Sequence, residues 1–462
     1  MFGKNNSAPQ GLKIIIVGCG KVGITLVEQL SNEGNDITVI DKNAKLVTDV
    51  CDTYDVMGVV GNGATYSVQI EAGIEQADLL IAVTMSDELN LLCATVARQV
   101  TNCAAIARVR DPDYSQEVAY LREKLSLDMI INPELEAAKE ASRILFLPTA
   151  LEVNTFAHGQ AELIKMEIPE GNILAGKTIA EVASSINMKV LICGVERGDE
   201  VFIPLGNFMM QSGDKITFTA SRANVRSFLR EAGFKTQQVK DTIIVGGGDA
   251  AFYLSKYLLD LGVQVKIIEI DKERCEELIT ELPKAIVING DGTDEELLKE
   301  EGIADCESFV ALTGMDEENI LLTLYAKQVS DCKVITKITR NTFKGIINNL
   351  QLGSIIYPKY ITSEAIIAYV RAKKDSLNSN IETLYHMFDH RAEAVEFRIG
   401  PKSELTDRPI KELELKDNVI IACISRHGKI IIPGGDDMIH SGDSVMIVTT
   451  HKGFDNIKDI LK

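Results

Sequence analysis

The sequence has no run of 18 apolar residues, so no segment is expected to cross a bilayer as a helix. It has no Cys-x-x-Cys pair. Its nine cysteines (Cys19, Cys51, Cys93, Cys103, Cys193, Cys275, Cys306, Cys332 and Cys423) are scattered. An odd, unclustered set suits reduced, mostly buried thiols rather than a disulfide frame or a zinc site. Histidine is scarce: His386 and His390 have i,i+4 spacing but no HExxH surrounds them, so no metal site is assigned. A Gly-x-Ser-x-Gly elbow is also missing, which removes one common catalytic framework. Positive charge is in short supply, with 48 Lys and Arg against 67 Asp and Glu, a net charge of −19. That balance argues against a nucleic-acid partner, which needs a basic face. The polar start, MFGKNNSAPQG, lacks the apolar core of a signal peptide, and a cytoplasmic location is expected.

What is present is length and repetition. A chain of 462 residues exceeds what one hydrophobic core supports, and 45% apolar with 25% charged residues is ordinary for globular domains. The chain is written twice, at a period of roughly 229 residues. IIIVGCGKVG at 14–23 returns as TIIVGGGDAA at 242–251, and residues 59–90 return as 287–319. Further on, Pro204 matches Pro433, and Ser212-Gly213-Asp214 matches Ser441-Gly442-Asp443.

Within each copy the first part alternates short β-branched runs with amphipathic stretches at helical spacing. In copy one the runs fall at 12–17, 36–40, 56–60, 79–83 and 104–109. Nearly all-apolar strands alternating with helices predict a parallel sheet covered on both faces and wound right-handedly. The second part, with short alternating strands and Gly-Asp turns, predicts a small α+β unit. The expected fold is α/β: two Rossmann-like doubly wound domains (11–132 and 240–362), each followed by a connecting helix (133–150 and 363–380) and a small α+β domain (151–234 and 381–462).

The nucleotide signal lies in Gly18-Cys19-Gly20-Lys21-Val22-Gly23, which follows a strand and opens a helix. Gly18 permits the tight turn, Gly20 lets backbone approach a phosphate, and Gly23 lets helix and strand pack closely. The helix N-terminus presents N–H groups and partial positive charge to the phosphate. Asp41, followed by Lys42, ends the second strand, where a carboxylate accepts ribose hydroxyls and repels a 2′-phosphate. NAD or adenosine nucleotides are therefore favoured over NADP. In copy two the same positions hold Gly246, Gly248, Ala251 and Glu269, while Asp249 replaces Lys21; weaker polyphosphate binding or a purely structural role is expected there. Gly61-Asn62 and Gly290-Asp291 turn after the third strands, over the adenine or ribose edge. Thr84, Asp87, Glu88 and Asn90 match Thr313, Asp316, Glu317 and Asn319 at the carboxyl end of the fourth strands, where ligands of such sheets bind; the acidic pair equally suits a helix start. Arg108 and Arg110 follow the fifth strand as cations placed to meet phosphates, with Arg108→Ala expected to reduce ATP affinity more than ADP affinity. In copy two they become Lys337 and Thr339. No repeated His, Lys or Tyr offers proton transfer to a nicotinamide, so no catalytic residue is assigned and binding without chemistry is expected.

These motifs together resemble the RCK family of potassium-conductance regulators, in the doubled form found in the peripheral subunits of Trk-type bacterial potassium uptake systems. The resemblance covers nearly the whole chain and names the larger domains RCK-N and the smaller RCK-C. It implies binding of NAD(H) and of ATP or ADP at Gly18, Gly20, Gly23 and Asp41, with Gly246, Gly248 and Glu269 in the repeat. It implies docking under a membrane-embedded TrkH-like potassium transporter, and a ring of eight Rossmann domains, hence a homotetramer. Asn62, where the family usually has Asp, and Ala251 depart from the pattern. The alternatives are an NAD-dependent oxidoreductase and a nucleotide-sensing regulator of another cation transporter.

Overall fold

The computed structural model describes residues 11–185, 190–234, 236–340, 344–350, 352–374, 380–388, 390–401, 403–454 and 456–462. The polar start at 1–10 and part of the second connecting segment, 375–379, lie outside the described residues.

Two compact units divide the chain. One comprises the chain through Ala137 with Tyr357–Val370; the other comprises Ala138–Ile356 with Arg371–Lys462.

The first unit holds β1 (Lys13–Val17), α1 (Lys21–Asn32), β2 (Asp36–Asp41), α2 (Ala44–Tyr54), β3 (Met57–Val60) and α3 (Tyr66–Glu71). It continues with β4 (Leu79–Ala82), α4 (Asp87–Val100), β5 (Ala104–Arg108), α5 (Pro112–Gln116), α6 (Val118–Lys124), β6 (Met129–Ile131) and the start of α7 (Pro133–Phe146). Its six strands are all parallel, in the order β3-β2-β1-β4-β5-β6. The order reverses at β1, which makes the carboxyl ends of β1 and β4 the switch point where such sheets hold ligands. Ile14, Ile15, Ile16 and Val17 are each no more than 2% exposed, so both faces of β1 are covered, as the unbroken apolar run requires. Each such side chain contributes about 1.5–3 kcal/mol on burial.

The second unit carries two antiparallel sheets and a second parallel one. The first antiparallel domain has β7 (Glu152–Phe156), β8 (Ala161–Glu167), α8 (Ile179–Ser185), β9 (Val190–Arg197), β10 (Glu200–Phe202), β11 (Lys215–Ser221) and α9 (Arg222–Glu231). The second Rossmann-like domain has β12 (Asp241–Val245), α10 (Asp249–Asp260), β13 (Gln264–Glu269), α11 (Lys272–Glu281), β14 (Ile286–Asn289) and α12 (Glu295–Glu300). After these come β15 (Ser308–Ala311), α13 (Asp316–Val329), β16 (Lys333–Lys337), α14 (Lys344–Asn349) and β17 (Ser354–Ile356), with the strand order of the first copy. Next comes α15 (Pro358–Lys374), which begins five positions before the expected 363 because proline at a first helical position costs no hydrogen bond. The last domain has β18 (Asn380–Met387), β19 (Ala392–Arg398), β20 (Val419–Arg426), β21 (Lys429–Ile431) and β22 (Ser444–Thr449).

The two antiparallel sheets share one core: Phe156, Leu163 and Cys193 of the first pack with Met387, Phe388, Ala394, Cys423 and Met446 of the second. Polar contacts lock the same seam, with the Ala157 N–H donating to Glu396 at 3.0 Å and Arg391 donating to Glu196 and to the Asp199 carbonyl. The repeated Ser-Gly-Asp is a fold signature. Asp214 accepts two bonds from Arg197, and Asp443 accepts two from Arg426, all at 2.7–2.9 Å. Gly213 and Gly442 make the adjoining turn at φ +83° and +87°, which only glycine adopts readily.

Candidate functional site

The glycine turn of the first Rossmann-like domain links β1 to α1, and each glycine has a different physical reason to be there. Gly18 sits at φ +108°, donating its N–H to the Ile40 carbonyl at 2.8 Å. A Cβ on Gly23 would lie 1.9 Å from the Gly18 carbonyl oxygen, so α1 can approach the turn only without one. Gly20 differs from both: a Cβ there would meet nothing within 4 Å. It stands as the N-cap of α1 in extended backbone and supplies no side-chain cap, so the helix opens onto clear space. Asp41 faces the turn from the end of β2. Its Oδ2 accepts from the Cys19 N–H at 2.7 Å and its Oδ1 from the Asn43 N–H at 2.8 Å, which fixes the carboxylate while leaving each oxygen a second lone pair. Burial, and then the charge of Asp41, pushes the Cys19 thiol up to about 12, so it stays neutral and unreactive. Val22 is buried, whereas Lys21 and Lys42 are exposed.

The neighbouring strand ends close around this turn. The Gly61 N–H donates to the Asp41 carbonyl at 2.9 Å. Cβ atoms on Gly61 and Gly63 would lie 2.7 and 2.4 Å from Val68 and Val17, so these glycines answer to packing. Asn62 caps its own turn, accepting from the Ala64 N–H at 3.3 Å. Thr84 lies against Gly18: a Cβ on that glycine would be 3.1 Å from the Thr84 nitrogen. Buried Asn90 ties two strand ends together. Its Oδ1 accepts from the Thr84 N–H and hydroxyl at 2.7 Å, and its Nδ2 donates to the Arg108 carbonyl at 2.9 Å. Asp87 does the same one turn earlier, accepting from the Arg110 and Asp111 N–H groups at 2.7 and 2.9 Å. Glu88 accepts from the Ser86 hydroxyl at 2.8 Å and the Tyr114 hydroxyl at 3.2 Å, and its own backbone N–H first, then these hydroxyls, hold its carboxyl below the usual range. The acidic pair therefore serves the helix start and the loop after β5.

The two arginines part company. Arg108 is 8% exposed, and its guanidinium donates to the Thr84 carbonyl; burial, then the nearby Arg110 charge, lowers its pKa. Arg110 is half-buried, donating to the Met85 carbonyl at 2.5 Å with its Nε 3.5 Å from Asp87. Of the pair, Arg110 presents the more accessible charge.

The second copy repeats the scaffold and alters its charge. Gly246 sits at φ +96°, a Cβ on Gly248 would again meet open space, and Ala251 is fully buried. Glu269 takes the place of Asp41, accepting from the Gly247 and Asp271 N–H groups at 2.5 and 2.7 Å. Asn319 and Asp316 reproduce the clips of Asn90 and Asp87, bonding the ends of β15 and β16 around Thr313. Lys337 donates to the Leu312 carbonyl at 2.8 Å. Asp291 accepts from the Thr293 N–H and hydroxyl after Gly290, which lowers its pKa. One participant carries no mark in the motif spacing: Arg274, from α11, donates to the Gly247 carbonyl at 2.8 Å and pairs with Asp249 at 3.4 Å. The negative charge that Asp249 brings to the turn is thus balanced within the fold.

Away from these turns, a cavity of about 260 Å³ opens in the antiparallel domains, lined in part by Gln160, Arg398, Ser425, His427 and Ser444. Among the described residues, no three His, Cys, Asp or Glu side chains gather as metal ligands, and no helix is long and apolar enough to cross a membrane.

The TrkA-N domain family matches residues 14–133 and 242–358, and the TrkA-C domain family matches 163–233 and 394–462. The chain belongs to the TrkA family. Its relatives share nearly the whole of this span. The Trk system potassium uptake protein TrkA of Haemophilus influenzae is 31% identical, covering 98% of both chains. The protein of the same name from Halomonas elongata is 31% identical over 96% of both, and a TrkA homolog of Methanosarcina mazei is 29% identical over 98% of this chain and all of its own. Among solved structures, the RCK domain of the GsuK channel superposes with a TM-score of 0.63 at 16% identity, covering 97% of this chain and 94% of its own. The GsuK channel bound to NAD gives 0.62 at 16% identity, over 97% and 78%. This TrkA-family chain thus carries the TrkA-N and TrkA-C pair twice, and its first glycine turn combines open space at Gly20 with the carboxylate of Asp41.

Proposed function

We propose that this chain is a cytosolic, nucleotide-sensing regulatory subunit that gates a membrane-embedded, TrkH-like potassium transporter. The observation that carries the reading is the full-length kinship with Trk potassium uptake proteins, together with an open Gly20 turn facing Asp41. NAD(H), ATP and ADP are the ligands. The amides opening α1 and the Lys21 ammonium hold the phosphates, and the free lone pairs of Asp41 accept the ribose hydroxyls. A bound nucleotide supplies binding free energy, not a reaction. Arg110 is the cation that distinguishes ATP from ADP. A ligand shifts an equilibrium only by its difference in affinity between two states, so the states must differ around the turn and the β5 loop. Two Rossmann-like domains per chain make a ring of eight from a homotetramer, peripheral on the inner face of the membrane.

The test is potassium flux into liposomes carrying the transporter, with and without this chain, across NAD, NADH, ATP and ADP. Flux should depend on nucleotide only when the chain is present. Flux indifferent to the chain under every nucleotide would overturn the reading.

A further inference from the structure

Two cysteines of the second Rossmann-like domain meet although 26 positions separate them in sequence (332 − 306). Cys306 precedes β15 and Cys332 immediately precedes β16, its parallel neighbour, with Ser308 in register with Lys333. The Lys333 N–H donates to the Glu307 carbonyl at 2.9 Å, so the two backbones are already at sheet spacing where the cysteines lie. A one-residue offset between strands ~4.8 Å apart puts the two Cα atoms about 6 Å apart, within the ~4.4–6.8 Å that a disulfide spans, and Cys306, two residues ahead of β15, is outside the alternation that would turn its side chain to the other face. Both sulfurs face one apolar cluster containing Ile243, Ile303, Phe309 and Val334. The thiol of Cys306 donates to the Ile303 carbonyl at 3.3 Å, and each cysteine shifts the titration of the other. The pair is asymmetric. Cys306 is buried and its pKa is raised, whereas Cys332 is half-buried and the neighbouring Cys306 lowers its pKa against the effect of burial. In the first copy Leu79 pairs with Ala104, so the same positions are Ala77 and Cys103 and no pair exists.

We propose that Cys306 and Cys332 are a reversible disulfide site, with Cys332 the attacking thiol and a low-molecular-weight disulfide the oxidant. The Cys332 thiolate attacks one sulfur of R–S–S–R, forming a mixed disulfide and expelling one thiolate, which takes up the Cys306 proton. Cys306 then attacks the Cys332 sulfur, closing the protein disulfide and expelling the second thiolate. Two protein thiols are oxidised and one small disulfide is reduced to two thiols. The bond staples the starts of β15 and β16, the strands whose far ends carry Thr313, Asp316 and Lys337.

The full chain is equilibrated with reduced and oxidised glutathione at graded ratios, remaining thiols are alkylated, and peptides are mapped by mass spectrometry. A linked pair of peptides bearing Cys306 and Cys332, lighter by two hydrogens and restored by dithiothreitol, is expected. Without oxidant, Cys332 should be alkylated roughly tenfold faster than the buried Cys193 at neutral pH. The Cys306→Ser variant should stop at glutathione attached to Cys332, and Cys332→Ser should leave Cys306 unmodified. A folded wild-type chain, checked by circular dichroism, that gives no linked peptide at any ratio overturns the proposal. So does wild-type protein that stops at the mixed disulfide with Cys306 still reduced.

Discussion

The three-glycine turn allows binding and folding to be separated by two neighbouring substitutions. At Gly23 a new Cβ would sit 1.9 Å from the Gly18 oxygen, where a carbon–oxygen contact needs about 3.3 Å. Helix α1 must therefore move by more than about 1 Å, and overpacking of this kind costs about 1–3 kcal/mol. At Gly20 the added methyl meets nothing within 4 Å, and the backbone at φ −78° and ψ −172° suits any residue. Losing glycine as an N-cap costs roughly 0.5–1 kcal/mol, offset by about the same amount of unfolded-chain entropy. Gly20→Ala should thus fold with a stability change within roughly 0.5 kcal/mol, yet occupy the space a phosphate needs. Its affinity for NAD or ATP should fall at least tenfold, about 1.4 kcal/mol. Calorimetric titration reads the binding; hydrogen exchange of the β1–α1 peptides reads local stability. Gly23→Ala should lose protection in the apo protein, and Gly20→Ala should keep it. Normal nucleotide affinity in Gly20→Ala, or equal loss of protection in both variants, would refute the assignment of the open turn as the phosphate seat.

Other expectations concern charge. Arg110→Ala should weaken ATP more than ADP in competition titrations, while Arg108→Ala should lower the melting temperature, because its guanidinium is buried against the Thr84 carbonyl; equal losses of ATP and ADP in Arg110→Ala would count against it. Arg371 and Glu393, 3% and 2% exposed and 3.2 Å apart, form a buried pair; burial raises the Glu393 carboxyl, but His386 and Arg371 pull it down to about 2. Its contribution is complete above the unfolded value near 4.5 and is lost as pH falls toward 2. Arg371→Met should destabilise by about 3–5 kcal/mol in urea titration at pH 7, since it takes the guanidinium away from a buried carboxylate. Burial lowers the Lys333 amine from 10.5 to about 7, so between those pH values unfolding takes up a proton and stability rises with pH. Thermal melts of Lys333→Met across that window should show a flatter slope than the wild-type chain.

Legibility in the sequence followed distance along the chain. The turn glycines, the acid that faces them, and the strands of the parallel sheets are short-range features, and each was readable from residue type and spacing. The repeated Thr-x-x-Asp-Glu-x-Asn was visible too, but not its meaning: Asn90 and Asp87 spend their polar groups on Thr84, Arg108, Arg110 and Asp111, splicing two strand ends. Arg274 is not legible in the sequence because a helix-surface arginine looks the same whether it faces water or reaches the Gly247 carbonyl. The start of α15 is ambiguous in the sequence, since Pro358 permits a helix as readily as it ends one.

By itself, then, the sequence determined the doubled Rossmann-plus-small-domain plan and the location of the open glycine turn, because local sterics and strand periodicity leave few alternatives. Tertiary structure decided the rest. It alone put Phe156 and Phe388 into one core, set Ala157 against Glu396 across 239 positions, buried Arg108 while leaving Arg110 more open, and brought Cys306 to Cys332. Such partners are chosen by the packing of distant segments, and residue spacing carries no record of it.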